Sequence, residues 1–269
     1  MSYKIIFTDL DDTLLNDNKE ISDIDKLSIL KAQEKGIKFV LASGRPTFAM
    51  KKLAKELQLK KYGGYLLSFN GSIITECKSE KNIFEAQLTE EDLQLIYDFS
   101  KKFKTHILTY HENEIISETE SEYIDVEKEL TKMDHRIVSD FKKEVTYPAV
   151  KTMLLAEPQY LKEVEKELKK QYGDKYTIAI SKPFFLEVTK KNVDKGTSLK
   201  KLTEYLNIPI SESIAVGDSF NDLPMLKTAG LGVCVENSCD EIKNICGFIT
   251  KSNNDGALSY LIEKLIFNK

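Results

Sequence analysis

The distribution of apolar and polar positions near the start of the chain is typical of alternating strands and helices. Residues 5–8 (IIFT) and 37–42 (IKFVLA) are short, nearly uninterrupted apolar runs, which indicate strands buried on both faces, as in parallel sheets. Between them, Ser22 followed by Asp25 predicts a capped helix start, and Gly36 predicts the end of that helix. The chain therefore opens with a β-α-β unit, which favours a parallel sheet.

A different order of elements occupies the middle of the chain. Two strands at 65–68 and 72–75 form a hairpin joined at Asn70-Gly71, because this dipeptide is a strong turn signal. From about residue 84 to residue 188 the pattern predicts a helix followed by two strands, and then this order recurs. Such a repeat predicts an α+β module built on an antiparallel sheet.

The α/β pattern returns after residue 189, where a helix precedes another apolar strand at 213–216 (SIAV). We therefore predict an α/β fold with two domains. A Rossmann-like, parallel-sheet core is formed by residues 1–83 and 189–269, and residues 84–188 are inserted into it as an α+β domain.

Composition and charge exclude several classes of function. The 269 residues are 41% hydrophobic and 30% charged, which is ordinary for a soluble protein, and no apolar run approaches the roughly 20 residues of a membrane span. The first strand begins too early to leave room for a signal peptide, so we expect a cytoplasmic protein. A net charge of −4 provides no basic footprint for nucleic acid. Four cysteines without CxxC spacing predict neither zinc nor disulfides, and no pattern indicates an oligomeric state.

Acidic and hydroxyl side chains follow the first two predicted strands. Residues 9–12 (DLDD) place three carboxylates directly after a buried strand, which requires a cation or a shared proton unless the segment is an exposed acidic turn. Ser43-Gly44 follows the second strand and precedes a helix. A hydroxyl and bare N–H groups at a helix start form an anion cradle, although the same residues also serve as a plain helix cap.

The later strand ends in a second acidic segment, 217–222 (GDSFND). Because parallel strands share one carboxyl edge, four acidic side chains should meet there: Asp9, Asp11, Asp218 and Asp222. A set of oxygen ligands without His or Cys favours a hard cation, and Mg²⁺ commonly binds through one or two carboxylates plus substrate phosphate. Lys195 and Ser43 would complete an anion site beside the metal. This combination is typical of phosphoryl transfer.

Four segments resemble the motifs of the haloacid dehalogenase superfamily: 9–13 (DLDDT), 43–45 (SGR), 195–196 (KG) and 217–222 (GDSFND). The insertion between the second and third motifs resembles the Cof-type (class IIB) group. The resemblance implies a phosphatase that hydrolyses small phosphomonoesters such as sugar phosphates, uses Mg²⁺, and carries a cap domain at 84–188 that sets substrate specificity. The implied partner is a small phosphorylated metabolite, with no nucleic acid and no membrane.

The resemblance also implies a role for each motif residue. Asp9 would be the nucleophile that forms an aspartyl-phosphate, and Asp11 would protonate the leaving group and then activate water. The implied metal ligands are Asp9, the Asp11 backbone carbonyl, Asp218 and, in support, Asp222. The implied phosphate ligands are the Leu10 N–H, Ser43, Gly44, Lys195 and Asn221.

Other readings of the same residues stay open. A phosphotransferase or mutase would use the same site, and a phospho-accepting regulatory domain also combines an acidic pair, an aspartate, a lysine and Mg²⁺ on a parallel sheet. A phosphosugar-binding protein without activity is a third alternative, against which the intact Asp9, Asp11, Lys195 and Asp218 argue. In the inserted domain, polar residues such as His111, Glu112 and Lys182 are candidates for substrate selection.

Overall fold

A computed structural model describes residues 3–267. The strands are β1 (Ile5–Thr8), β2 (Lys38–Ala42), β3 (Tyr65–Ser68), β4 (Ile73–Glu76), β5 (Asn82–Glu85), β6 (His106–His111), β7 (Glu114–Ser117), β8 (Asp134–Ile137), β9 (Lys151–Leu155), β10 (Tyr176–Lys182), β11 (Phe185–Lys190), β12 (Ser213–Gly217), β13 (Leu231–Cys234) and β14 (Phe248–Ile249). The α-helices are α1 (Asp23–Glu34), α2 (Thr47–Glu56), α3 (Leu59–Tyr62), α4 (Glu90–Lys102), α5 (Glu122–Thr131), α6 (Phe141–Glu144), α7 (Pro158–Tyr172), α8 (Lys195–Tyr205), α9 (Leu223–Thr228), α10 (Asp240–Lys243) and α11 (Ala257–Ile262).

The chain divides into two compact units. The first comprises Met1–Phe84 with Asp194–Lys269, and the second comprises Glu85–Val193. An eight-stranded sheet has the order β14-β13-β12-β1-β2-β3-β4-β5, and a separate six-stranded sheet has the order β10-β11-β9-β6-β7-β8. The predicted α/β fold with a parallel-sheet core is confirmed.

The sheet of the first unit is parallel from β14 through β3. Alternate residues of β1 enter different apolar clusters, since Ile6 belongs to one cluster and Ile5 and Phe7 belong to another. Strands covered on both faces require apolar side chains at successive positions, which explains the apolar run from Ile5 to Phe7. The predicted β3–β4 hairpin is confirmed as an antiparallel pair.

In the second unit, helices α4 and α7 pack against the sheet in one apolar cluster. Leu93, Ile96 and Phe99 of α4 and Leu161 and Val164 of α7 lie in a single buried cluster. Each helix buries residues at three- and four-residue spacing, which is the stripe expected of a helix on a sheet.

The prediction of an antiparallel sheet in this unit is wrong at one edge. Strand β8 pairs with β7 in parallel, whereas the other neighbouring strands of this sheet pair antiparallel. The sequence pattern missed β8 because its residues are exposed or half-buried throughout and provide no apolar run. Within residues 3–267, no helix combines the length and the apolarity needed to cross a bilayer.

Candidate active site

The carboxyl end of β1 is the centre of the candidate site. β1 lies between β12 and β2, and the Asp9 N–H continues the ladder by donating to the Val216 carbonyl at 2.9 Å. The three parallel strands therefore end at the same edge of the sheet. Asp9 is only 6% exposed there, so its carboxylate requires partners inside the protein.

The Lys195 ammonium is the nearest of these partners. Its Nζ lies 2.5 Å from Asp9 Oδ1 and 2.6 Å from Asp222 Oδ1, and the side chain is fully buried. Lys195 opens helix α8, which Asp194 and Thr197 start with reciprocal capping hydrogen bonds. At Gly196 a Cβ would lie 2.3 Å from the Pro224 carbonyl oxygen. Glycine therefore lets α8 approach the start of α9 closely enough for the lysine to reach Asp222.

Asp222 organises the turn that carries Asp218. Its Oδ2 accepts hydrogen bonds from the backbone N–H groups of Asp218 and Ser219, both at 3.1 Å. The Asp218 carboxylate in turn accepts from Thr13 Oγ1 at 2.8 Å and from the Ser219 hydroxyl. Because both Asp222 oxygens are already hydrogen-bonded, this residue acts on the site mainly by holding Lys195 and the turn.

The Ser43-Gly44 turn lies at the end of β2, before helix α2. The Ser43 N–H donates to Leu67 O at 2.8 Å, and its hydroxyl accepts from the Arg45 N–H at 3.1 Å. Helix α2 begins at Thr47, and no side chain caps its first turn. The backbone N–H groups at an uncapped helix start have no partner within the helix and can therefore bind an anion. Leu10 is buried in the core, and its carbonyl accepts from the N–H groups that follow it in the loop.

Asp11 has a partner that the sequence pattern did not reveal. Arg45 binds its carboxylate with both arms of the guanidinium, Nε to Oδ2 at 2.9 Å and Nη2 to Oδ1 at 2.6 Å. Lys19 lies 3.7 Å from the same carboxylate. In the described part of the chain, Asp11 thus forms ion pairs with these two residues and none with Lys195. The one available signal was that Arg45 is one of only two arginines in the sequence.

Asn221 lies beside a second residue that was not anticipated as part of the site. Its Nδ2 donates to Asn70 Oδ1 at 3.4 Å. Asn70 belongs to the loop between β3 and β4, and its side-chain amide lies over Gly44, 3.3 Å from the position that a Cβ would take. The hairpin signal located this turn but did not indicate that it borders the second and fourth motifs.

The model of one known family matches residues 6–262, and its description is haloacid dehalogenase-like hydrolase. The chain belongs to this family. The predicted resemblance is therefore confirmed, and so is the prediction of a hydrolase.

Relatives of this haloacid dehalogenase-like hydrolase cover nearly its whole length. A Bacillus subtilis 5-amino-6-(5-phospho-D-ribitylamino)uracil phosphatase is 31% identical over 260 residues, which are 96% of this chain and 94% of the relative. A haloacid dehalogenase-like hydrolase from Bacteroides thetaiotaomicron, known as a crystal structure, superposes with a TM-score of 0.89 at 36% identity, covering 98% and 100% of the two chains. A subclass IIB sugar phosphatase, BT4131, shares the fold at a TM-score of 0.77 and 21% identity, covering 97% and 98%.

The electrostatics of the site favour a bound cation. Oxygens of Asp9, Asp218 and Asp222 lie within 4.8 Å of one another, and Lys195 alone cannot neutralise three carboxylates. Burial raises the pKa of Asp9 to about 8. The Lys195 charge lowers this pKa, and the Asp222 charge raises it further. Burial also raises the pKa of Asp218. For Lys195 burial lowers the pKa, but Asp9 and Asp222 outweigh it and shift the pKa upward. An oxygen-only cluster with excess negative charge fits a divalent metal ion.

Proposed function

We propose that this haloacid dehalogenase-like hydrolase is a Mg²⁺-dependent phosphatase of small phosphomonoesters, and that it acts through an aspartyl-phosphate on Asp9. The observation that carries the proposal is the buried group of Asp9, Lys195 and the acidic turn at the carboxyl edge of the central strand. Hard oxygen ligands, a cation and an adjacent anion cradle are the parts that phosphoryl transfer requires.

The first step forms a bond between Asp9 and phosphorus. Lys195 holds Asp9 Oδ1, and no protein group within residues 3–267 donates a hydrogen bond to Oδ2. Oδ2 is therefore the oxygen we assign as the attacking atom. As it binds phosphorus, the ester P–O bond breaks, and the leaving oxygen takes a proton from the Asp11 carboxyl, which this step requires to be protonated in the substrate complex.

The second step releases inorganic phosphate. Asp11, now ionised, takes a proton from a water molecule, and the water oxygen attacks phosphorus. The bond between phosphorus and Asp9 Oδ2 breaks, which restores the carboxylate. Arg45 keeps the Asp11 carboxylate in one orientation through two hydrogen bonds. We assign the phosphoryl oxygens to Lys195, the Leu10 N–H, the Ser43-Gly44 turn and Asn221.

The residues that would hold the metal are Asp9, the Asp11 carbonyl and Asp218, with Asp222 in support. When bound, a divalent cation would balance the surplus carboxylate charge and lower the pKa of Asp9, so that the ionised form predominates. The ligand set of oxygen atoms alone supports Mg²⁺ over softer metals.

The substrate class we propose is a small phosphorylated metabolite, either a sugar phosphate or a related compound. The Bacillus subtilis relative is named for a phosphorylated ribitylamino compound, which supports a polyhydroxylated leaving group. We also propose that the second unit (Glu85–Val193), predicted from the sequence as residues 84–188, acts as the cap that selects this leaving group. Hexose phosphates, pentose phosphates, flavin mononucleotide and the relative's substrate form the first screening set.

The test is hydrolysis of p-nitrophenyl phosphate, with nitrophenol and inorganic phosphate measured together. We expect turnover that EDTA abolishes and excess Mg²⁺ restores. In Asp11→Asn, nitrophenolate should leave without needing a proton, whereas attack by water should be slow. The variant should therefore release about one nitrophenolate per active site in a burst and then turn over slowly. Asp12→Asn is the matched control, because Asp12 is a neighbouring exposed carboxylate that pairs with Lys19.

Each alternative has its own outcome in the same assay. Activity that survives EDTA would contradict the metal-dependent mechanism. Nitrophenol in excess of phosphate when an acceptor sugar is present would indicate phosphoryl transfer. A wild-type acyl-phosphate that persists for minutes would indicate a regulatory phospho-acceptor instead.

A further inference from the structure

The loop between β3 and β4 has an unusual backbone. Phe69, Asn70 and Gly71 have φ values of 50°, 55° and 96°, so successive residues occupy the left-handed region. Asparagine enters this region more readily than most residues, but it is disfavoured there relative to glycine. A run of such residues is kept only where the surroundings hold it in place.

Three hydrogen bonds fix this loop to the second and third motifs. The Asn70 N–H donates to Ser43 O at 2.9 Å, and the Phe69 N–H donates to Arg45 O at 3.0 Å. Ser198 of helix α8, the helix that begins with Lys195, donates its hydroxyl to Gly71 O at 2.6 Å. The loop position is thus determined by the same two segments that supply the anion cradle and the buried lysine.

The Asn70 side chain is directed into this cradle. Its Oδ1 accepts from Asn221 Nδ2 at 3.4 Å, so its Nδ2 is the end that remains to donate. Nδ2 lies 3.3 Å from the position of a Cβ on Gly44. Within residues 3–267 this amide N–H group has no protein acceptor, and it lies over the Ser43-Gly44 turn that leads into helix α2. An acceptor in that place would be an anion bound to the turn.

We propose that Asn70 is a further phosphate-binding residue, which donates from Nδ2 to a phosphoryl oxygen on the Ser43-Gly44 turn and orients Asn221 through Oδ1. This inference rests on the proposed phosphatase function and adds a donor to its site. The left-handed backbone of the loop places the Asn70 amide over Gly44, which has no side chain and so leaves room for it. A hydrogen bond to a charged acceptor is among the stronger polar contacts in proteins.

Two substitutions separate the amide from the backbone. Asn70→Gly keeps the left-handed conformation at the lowest steric cost and removes the side chain. Asn70→Asp keeps the shape and places a carboxylate against the phosphate. The probe is inorganic phosphate in the presence of Mg²⁺, measured as an inhibitor of p-nitrophenyl phosphate hydrolysis and as a ligand that raises the unfolding temperature. We expect phosphate binding to weaken about tenfold in Asn70→Gly and further in Asn70→Asp.

Asn207 supplies the matched control. It is also an asparagine in the left-handed region, at φ 53°, but it is exposed and follows the end of helix α8. Asn207→Gly and Asn207→Asp should bind phosphate as the wild type does. If Asn70→Gly binds phosphate as tightly as the wild type, Asn70 only shapes the turn and the inference is overturned, whatever the unfolding temperature.

The thermal measurement separates this inference from the proposed function. If wild-type protein hydrolyses no phosphomonoester, but phosphate raises its unfolding temperature and Asn70→Gly loses that effect, the phosphatase proposal fails and the Asn70 assignment stands. If the wild type is active and its phosphate affinity is unchanged by either Asn70 variant, the phosphatase proposal stands and the Asn70 assignment fails.

Discussion

Two buried aspartates, one in each unit, meet opposite electrostatic surroundings. Asp92 of the second unit accepts from Tyr176 at 2.7 Å and pairs with Lys175 at 2.7 Å and Lys190 at 3.2 Å. Asp9 of the first unit has one buried lysine, which it shares with another carboxylate. Burial by itself would raise the pKa of Asp92, but its hydrogen bonds from Lys175 and Tyr176 lower the pKa well below the ordinary value. Burial raises that of Asp9 to about 8.

The difference distinguishes a carboxylate that supports the fold, Asp92, from one for which we propose a role in chemistry, Asp9. Asp92 has enough donors to be ionised without a ligand, and it also caps α4 together with Thr89. The protein alone supplies too little positive charge to balance an ionised Asp9. Folding does not require a carboxylate at this place, and burying one there costs stability. Perturbed carboxylates of this kind are typical of active sites, where stability is given up for function.

The largest expected effect is that of Asp9→Asn. The amide cannot attack phosphorus, so kcat should fall by at least about a thousandfold. The unfolding temperature should equal or exceed that of the wild type, because the substitution replaces a buried carboxyl whose ionised form lacks full compensation. The measurements are p-nitrophenyl phosphate turnover and thermal unfolding, both without added metal and with Mg²⁺. A clear loss of stability in the metal-free variant would remove the contrast with Asp92.

A smaller effect, on stability alone, is expected for Asp92→Asn. The variant should lose about 1–3 kcal/mol of unfolding free energy at neutral pH and keep its turnover at temperatures where it is folded. Because the folded pKa of Asp92 lies below its unfolded value of about 3.9, the stabilisation is fully present above that value. It is lost as the pH falls toward the folded pKa. Urea unfolding at several pH values should therefore show the two proteins converging below about pH 4.

Asp125→Asn is the control for that comparison. Asp125 pairs with Lys128 at 3.1 Å in the same unit, but the pair is solvent-exposed, so its loss should cost at most a few tenths of a kcal/mol. If both variants lose equal stability, the buried network around Asp92 has no special role.

The smallest expected effect is that of Arg45→Lys. A lysine keeps the charge but cannot bind the Asp11 carboxylate with two parallel hydrogen bonds. We expect kcat to fall by about three- to tenfold with little change in KM, because the role we propose for Asp11 is in proton transfer more than in binding. Arg136→Lys is the control, since Arg136 pairs with Glu114 at 3.0 Å in the second unit. A rise in KM with unchanged kcat would instead assign Arg45 to substrate binding.

The sequence predicted the position of a site residue best where that residue directly follows a single apolar strand. Asp9 and Asp218 follow buried parallel strands, whose continuous apolar runs mark their own ends, and the sheet edge then brings these residues together. Lys195 was predicted from its motif, and its capping residues mark the start of α8 in the sequence.

Contacts between separate loops were beyond the sequence pattern. Arg45 and Asp11 are 34 positions apart, and Asn70 and Asn221 are 151 positions apart. Neither pair lies on one strand or helix, so no periodicity relates its members. The parallel β8 was missed for a related reason, because an edge strand with half-exposed residues has no apolar alternation to recognise.

The complete enclosure of Lys195 also determines which reagents can reach it. Lysine supplies all but two of the 39 basic residues, and exposed examples such as Lys60 and Lys143 should react readily with an acetylating reagent. Lys195 is fully buried beneath Asp9 and Asp222, so acetylation there must wait until the core opens. The rate at which mass spectrometry detects acetyl-Lys195 would therefore measure how often this edge of the sheet unfolds in the native protein.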